Sequence, residues 1–209
     1  CTGHSKAQYS LSMLPWTRVA NQGAVPPALT NFGIVSSGCK LYVFGGIAEL
    51  ADNSYDLSCD FYIFDESTGF WTCKERTDLQ PCARTGHSMV TWQERIFVLC
   101  GCTGHSKAQY SLSMLPWTRV ANQGAVPPAL TNFGIVSSGC KLYVFGGIAE
   151  LADNSYDLSC DFYIFDESTG FWTCKERTDL QPCARTGHSM VTWQERIFVL
   201  CGCTGHSKA

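Results

Sequence analysis

The sequence has little charge, no long apolar run and no difference between its two halves. Charged residues make up 16% of the chain and the formal net charge is −3, so no basic surface for nucleic acid is predicted. The longest uncharged stretch, 19–39, contains two prolines and three glycines, which makes it a poor membrane span. With 45% hydrophobic residues the chain can still bury a core. We therefore expect a folded protein whose partners are neither nucleic acid nor membrane.

The chain is an exact internal repeat. Residues 1–101 reappear without a substitution as 102–202, and 203–209 begins a third copy. We expect a single domain over 1–209 built from these units, because such repeats bury their core by stacking on one another. An exact repeat also fits an engineered chain or a gene fragment without an independent function, and the sequence leaves that alternative open.

Each unit is rich in short strand patterns. The apolar runs 41–44 and 96–99 each end near glycine, and 61–65 is separated from 69–75 by the turn-forming residues Glu66-Ser67-Thr68-Gly69. No segment has a convincing period of 3.6 residues. These patterns predict an all-β fold.

The unit also divides into two related modules. Phe44-Gly45-Gly46 aligns with Leu99-Cys100-Gly101 at an offset of 55, and an aromatic residue precedes a tryptophan by seven residues in both modules. Those pairs are Phe64 with Trp71 and Tyr110 with Trp117. The chain therefore contains four blade-equivalents.

A strand ending in Gly-Gly, followed by an aromatic residue and a tryptophan seven positions later, resembles the kelch repeat. RTGHSMV at 84–90 resembles the first blade strand of that family, and 25–46 with 81–90 resembles host cell factor-type kelch proteins. The resemblance implies a β-propeller. Its expected structural positions are Gly45, Gly46, Trp71, Gly101, Trp117, Gly146, Gly147 and Trp172. Cys100-Gly101 stands where the family has two glycines, so this turn is expected to be less standard.

The two ends of the chain leave two architectures open. Residues 8–20 resemble the last two strands of a blade, and 185–202 resemble the first two strands of the same blade type. The ends could therefore pair and close a four-bladed ring. Alternatively the chain is an arc of a larger propeller, since kelch rings resemble six-bladed propellers and three 101-residue units would supply six blades.

The thirteen cysteines and the histidines offer candidate chemistry. Several thiols lie within apolar strand patterns, so we expect reduced, mostly buried cysteines. The sets Cys100, Cys102, His105 and Cys201, Cys203, His206 provide ligand types that suit zinc, but they lack a second Cys pair at the usual spacing. We therefore predict no metal and no cofactor. A metal-binding or copper-oxidase-like kelch enzyme is the alternative.

Serine follows histidine in the Thr-Gly-His-Ser segments at 85–88 and 103–106. No third group is placed to orient the histidine and no G-x-S-x-G elbow occurs, so no catalytic residue is predicted. We expect His87 to lie in the first strand of a blade, with its ring hydrogen-bonded to a neighbouring loop.

Carboxylates are concentrated after Gly46, without the spacing of a calcium loop. We expect 48–60 to be the longest contact loop, because function usually lies on loops held by a rigid scaffold, and we expect Arg84 near a loop on the opposite side. The candidate partner-binding residues are Glu49, Asp52, Asn53, Tyr55, Arg84, Glu150, Asp153, Asn154, Tyr156 and Arg185. The predicted function is a non-catalytic protein–protein interaction scaffold. The resemblance to host cell factor-type proteins implies transcription or chromatin partners and a cytoplasmic or nuclear location.

Overall fold

The computed structural model describes residues 9–11, 16–18, 22–50, 52–102, 110–113, 117–120, 123–151 and 155–205. These residues form strands, turns and loops and contain no α-helix. The all-β prediction is confirmed.

The strands of the first unit are β1 (Tyr9–Leu11), β2 (Trp16–Arg18), β3 (Gln22–Gly23), β4 (Leu29–Thr30), β5 (Gly33–Ser37), β6 (Lys40–Phe44), β7 (Ile47–Glu49), β8 (Tyr55–Leu57), β9 (Phe61–Asp65), β10 (Phe70–Lys74), β11 (Ser88–Trp92) and β12 (Arg95–Leu99). Those of the second are β13 (Tyr110–Ser113), β14 (Trp117–Arg119), β15 (Gln123–Gly124), β16 (Leu130–Thr131), β17 (Gly134–Ser138), β18 (Lys141–Phe145), β19 (Ile148–Glu150), β20 (Tyr156–Leu158), β21 (Phe162–Asp166), β22 (Phe171–Lys175), β23 (Ser189–Trp193) and β24 (Arg196–Leu200).

Eighteen of these strands form three complete blades and two half-blades, and the other six form two small three-stranded sheets. Blade 1 has the order β5-β6-β9-β10 and blade 3 the order β17-β18-β21-β22, each extended at its outer edge by a short parallel strand, β3 or β15. Blade 2 is β11-β12-β13-β14. The half-blades are β1-β2 and β23-β24. The four predicted blade-equivalents are therefore present.

Neighbouring side chains along a strand point to opposite faces of a blade, so each face can pack against different neighbours. In β6, Phe44 packs towards blade 2 in a cluster with Met89 and Val98, whereas Val43 packs on the other face with Trp71. Blades 2 and 3 pack against each other in the same way as blades 1 and 2. Phe97 and Leu99 of blade 2 join Trp172 of blade 3 in the largest apolar cluster. The tryptophan predicted at 172 therefore fills the space between two blades.

The turn after the second strand of a blade requires a left-handed backbone. Gly45 and Gly46 have φ of +66° and +92°. A Cβ on Gly46 would lie 2.7 Å from the carbonyl oxygen of Thr30, so glycine is required there. In blade 2 the corresponding residues, Cys100 and Gly101, have φ of +52° and +84°. The expectation of a less standard turn at Cys100 is wrong, because the cysteine adopts the conformation of the glycine it replaces.

The described part of the molecule is an open arc. β1-β2 and β23-β24 belong to separate sheets, and no ladder joins β24 to β1 among the residues that the structure describes. The inner strands follow one another, since β5 contacts β11, β11 contacts β17, and β17 contacts β23. Within the described ranges, the terminal strands therefore do not pair to close a ring.

The cysteines are less buried than predicted. All twelve described cysteines are free, and Cys100 is the one that is fully buried. Cys39 and Cys140 lie in exposed hairpin turns, and Cys201 is also exposed. The prediction of mostly buried thiols is therefore wrong.

Candidate partner-binding rim

Strand directions place the longest connecting segments on one rim of the arc. β6 and β10 both run antiparallel to β9, so the segments 45–60 and 75–87 leave the same edge of blade 1. Arg84 belongs to the second of these segments. It therefore lies on the same side as the contact loop and not on the opposite side as predicted. We call this edge the long-loop rim.

Both units contribute to the same rim. Gly86 accepts a hydrogen bond of 3.0 Å from the N–H of Asn132 and donates one of 3.2 Å to the carbonyl of Asn31. Asn31 and Asn132 precede the inner strands of blades 1 and 3. The long-loop ends of these two blades therefore meet at one side of the molecule.

The segment 48–60 is more ordered than a loop. β4, β7 and β8 form a small three-stranded antiparallel sheet, in which Leu29 pairs with Ala48 and Glu49 pairs with Tyr55. At its tip the N–H of Leu50 donates to the carbonyl of Ser54 over 2.8 Å. The sheet therefore continues into a tip where Leu50 is hydrogen-bonded to Ser54.

Acidic and aromatic side chains cover this sheet. Tyr55 is 58% exposed, Asp52, Asn53 and Asp56 are also exposed, and Glu49 is half-buried. The Ser54 backbone N–H and hydroxyl donate to Asp52 over 3.0 and 2.5 Å, which lowers the pKa of that carboxyl. We call Glu49, Asp52, Asn53, Tyr55 and Asp56 the first rim patch.

The first rim patch has no neutralising cation in its own segment. Residues 47–60 contain four carboxylates and no Lys or Arg. One of the four, Asp60, is paired with Arg76, whose Nη2 lies 2.8 Å from its Oδ1. Every charged side chain of this segment is therefore acidic.

The second unit repeats the patch on β19 and β20. Tyr156 is 67% exposed, Asp157 is exposed and Glu150 is half-buried. The predicted residues Asp153 and Asn154 lie outside the described residues. We call Glu150, Tyr156 and Asp157 the second rim patch.

Arg84 does not contribute to a contact surface, because its side chain is fully buried. Its Nη1 donates to the carbonyl of Cys100 over 2.6 Å, and its Nε donates to the carbonyl of Cys82 over 3.2 Å. Arg185 makes the same contacts with Cys201 and Cys183 while remaining half-buried. Both guanidinium groups hold the rim segments together from inside, which the sequence prediction missed.

His87 is buried immediately before β11, and its environment differs from the prediction. Both ring nitrogens are buried, and no hydrogen bond from the ring to a neighbouring loop is found among the described residues. The ring instead meets Phe44 edge-on, with centroids 5.5 Å apart. Burial and the nearby positive charge of Arg84 lower the pKa of His87 to about 4, which keeps the ring neutral.

The thiol and imidazole groups do not form a metal centre in the described part of the chain. There, no three His, Cys, Asp or Glu side chains lie close enough together to hold a metal ion. Burial raises the pKa of Cys100 to about 11, so its thiol stays protonated. His105 and His206 fall outside the described residues. Ser88 donates its hydroxyl hydrogen to the carbonyl of Phe133, 3.1 Å away, across the interface between blades 2 and 3.

Blades stacked around a common arc, with glycine turns and buried tryptophans at fixed places, define a repeat protein of the β-propeller class. Residues 6–202 match the family model described as the KLHDC2/KLHL20/DRC7 Kelch-repeats domain. The chain therefore belongs to the kelch-repeat family.

Several known proteins are similar along most of the chain. Tip elongation aberrant protein 1 of Schizosaccharomyces pombe is 25% identical over 91% of this chain and 17% of its own length. Host cell factor 2 of Homo sapiens is 23% identical over 95% of this chain and 27% of its own length. Kelch domain-containing protein 3 of Bos taurus is 28% identical over 77% and 44%, respectively. The chain thus spans less than half the length of each of these relatives.

A solved structure shows the same fold. The structure of YjhT matches this chain with a TM-score of 0.74 at 16% sequence identity. The match covers 93% of this chain and 67% of that one. Within the described residues, no helix is long and apolar enough to cross a membrane.

Proposed function

We propose that this chain is a non-catalytic interaction scaffold that binds a basic protein segment through its two rim patches. The observation that carries the proposal is an exposed tyrosine beside exposed carboxylates on a small, hydrogen-bonded sheet. Tyrosine supplies contact area at low cost in side-chain entropy, and the carboxylates attract cationic side chains. Membership of a family rich in protein-binding propellers supports the same function.

The two rim patches favour a partner with two basic segments. The patches have identical sequences and lie on the same rim, in blades 1 and 3. A partner that contacts both gains avidity, because the second contact is intramolecular. By similarity to host cell factor proteins, we propose transcription or chromatin proteins as partners and a nuclear or cytoplasmic location.

The test measures binding of Lys/Arg-rich peptides with one or two basic segments, by fluorescence anisotropy. The Tyr55→Ser/Tyr156→Ser variant removes both patch aromatics, and we expect at least about tenfold weaker binding. The matched control is Phe70→Ser/Phe171→Ser. These aromatic residues are also exposed, but they follow the hairpins at the opposite rim.

The control variant should bind as the original chain does. Equal loss in both variants, or equal binding of an acidic peptide of the same length, would contradict the proposal. Binding of the two-segment peptide no tighter than that of the one-segment peptide would contradict the bivalent arrangement alone.

A further inference from the structure

Each small sheet of the long-loop rim ends in a strand that no further strand covers in the described part of the chain. The strand order is β4-β7-β8 in the first unit and β16-β19-β20 in the second, so β8 and β20 are edge strands. All three residues of β8 are exposed, as are Tyr156 and Asp157 in β20. An edge strand presents backbone donors and acceptors with which another extended chain can pair.

The neighbouring blades do not cover these edge strands. Blade 3 is flanked on both sides, because β17 contacts β11 of blade 2 and β23 of the half-blade. The first two residues of β20 are exposed although its blade has these neighbours, and β8 is exposed beside blade 2. The exposed edge is therefore a property of the repeated unit.

The hydrogen bonds of the sheet show which backbone groups of β20 point outwards. The N–H of Ser159 donates to the carbonyl of Gly147 over 2.9 Å, so the backbone of Ser159 is directed towards the neighbouring strand. Along an antiparallel strand, residues that bond to the neighbour alternate with residues that do not. The backbone groups of Leu158 and Tyr156 are therefore directed away from β19, towards the open edge. The same register holds in β8, where the N–H of Ser58 donates to the carbonyl of Gly46 over 2.9 Å.

One outward donor in each edge strand is held by a side chain of the same strand. The N–H of Leu57 donates to Oδ1 of Asp56 over 2.8 Å. The N–H of Leu158 donates to Oδ1 of Asp157 over the same distance. An exposed carboxylate thus occupies the donor that a paired strand would bind with a backbone carbonyl. Because a side chain can rotate away, an incoming carbonyl can replace it, and the released carboxylate can then bind a cation of the incoming chain.

Side chains along the edge strands alternate between two faces. Tyr156 and Leu158 share one face of β20, and Asp157 lies on the other. The sequence of β8 is the same, so it has the same alternation. In paired strands, residues opposite each other have their side chains on the same face. An incoming strand therefore meets an aromatic and an apolar side chain on one face and a carboxylate on the other.

We propose that β8 and β20 each accept an extended segment of the partner protein as an additional strand, and that this segment alternates basic and apolar residues. A basic residue lies opposite Asp56 or Asp157, and apolar residues lie opposite the tyrosine and leucine on either side. Backbone hydrogen bonds supply affinity in this mode of binding, and the alternate side chains supply specificity. The inference rests on the proposed function, because the segment is the basic one proposed above, and it adds the conformation and residue order of that segment.

The first experiment compares two peptides of identical composition by fluorescence anisotropy. One peptide alternates lysine and valine, and the other places all its lysines before all its valines. Alternation puts the cations on the face of Asp157 and the valines on the face of Tyr156 and Leu158. We therefore expect the alternating peptide to bind at least about tenfold more tightly.

The second experiment methylates backbone nitrogens of the alternating peptide, either at every lysine or at every valine. Successive N–H groups of a strand point to opposite edges, so one of these two sets faces the edge strand and the other faces solvent. Methylation of one set should weaken binding at least about tenfold, and methylation of the other should leave it nearly unchanged. The two methylated peptides have the same charge and composition, so each is the control for the other.

The third experiment removes the outward donor from the protein. Leu57→Pro/Leu158→Pro lacks the two N–H groups, whereas the matched control Leu57→Ala/Leu158→Ala keeps them and loses the same leucine side chains. Neither N–H belongs to the ladder, and an edge strand tolerates proline at such a position. We expect the proline variant to bind the alternating peptide at least about tenfold more weakly than the alanine variant does. Circular dichroism of each variant checks that its fold is retained.

Three results would each overturn this inference while leaving the proposed function in place. They are equal binding of the two unmethylated peptides, equal effects of the two methylations, and equal binding by the folded proline and alanine variants. If the proline variant does not fold, the methylated peptides decide the question. Failure of every basic peptide to bind, the block peptide included, would overturn the proposed function together with this inference.

Discussion

The backbone N–H of Gly46 donates a hydrogen bond to the carbonyl oxygen of Arg84, 2.8 Å away. This contact joins the turn after the second strand of blade 1 to the segment that enters blade 2. The guanidinium of Arg84 then reaches the carbonyl of Cys100, at the equivalent turn of blade 2. One residue therefore links the same structural position in two successive blades.

Gly46→Ala should destabilise the fold more than Gly38→Ala. At Gly46 an added Cβ would meet the Thr30 carbonyl oxygen at 2.7 Å, and φ is +92°. At Gly38 φ is +56° and nothing lies within 4 Å of the added atom, so only the left-handed backbone opposes alanine, at about 1–2 kcal/mol. We expect Gly46→Ala to exceed that cost by at least about 1 kcal/mol. Urea unfolding measures the loss of stability in both variants. Equal losses would show that the structure adjusts around the Cβ added at position 46 without further cost.

Arg84→Ala should cost more stability than Arg185→Ala. Both side chains donate to equivalent carbonyls, but Arg84 is fully buried and Arg185 is half-buried. Removing a buried donor leaves the Cys100 carbonyl without that partner, at about 1–3 kcal/mol, whereas water can replace Arg185. Thermal unfolding followed by circular dichroism compares the two. A larger loss for Arg185→Ala would contradict the assigned role.

Leu99→Ala and Leu200→Ala compare one substitution in two environments. Leu99 is buried between blades 2 and 3, and its truncation should cost about 2–5 kcal/mol. Leu200 in β24 is exposed, so in dilute solution its truncation should change the free energy of unfolding by less than about 1 kcal/mol. Urea titration under dilute conditions measures both. Similar losses would mean that Leu200 is covered in the monomer.

Acidification should unfold the protein partly through His87. The pKa of His87 is lowered from 6.5 to about 4 in the folded chain, so the unfolded chain binds the extra proton between these values. Stability from this group is complete above pH 6.5 and falls as the pH decreases towards 4, by about 3 kcal/mol in total. Unfolding free energies across this range measure the slope. His87→Phe should flatten it, and an unchanged slope would exclude His87 as its source.

The sequence predicts the repeating elements of the fold because they repeat a local pattern. The alignment of Gly45-Gly46 with Cys100-Gly101 places β6 and β12 correctly, and the family pattern places the tryptophan at 172 between blades. Each of these signals consists of adjacent or nearly adjacent residues whose backbone requirement or packing is the same in every module.

The elements that the sequence does not predict depend on contacts between distant segments. β4, β7 and β8 have two or three residues each, too few to show a strand period. The burial of Arg84 follows from the carbonyls of Cys82 and Cys100 meeting in space. The open arc separates Leu99 from Leu200, which no local pattern distinguishes because their flanking sequences are identical.

β12 and β24 have the same sequence, yet β12 pairs with β13 whereas β24 has β23 as its partner in the described structure. During folding, either copy presents the same edge to β13. A chain in which β24 captures β13 first must release it before blade 2 can be completed. We therefore expect refolding to divide into a fast route and a slower one that passes through this misregistered pairing, and the slower route should disappear when β24 alone is altered in sequence.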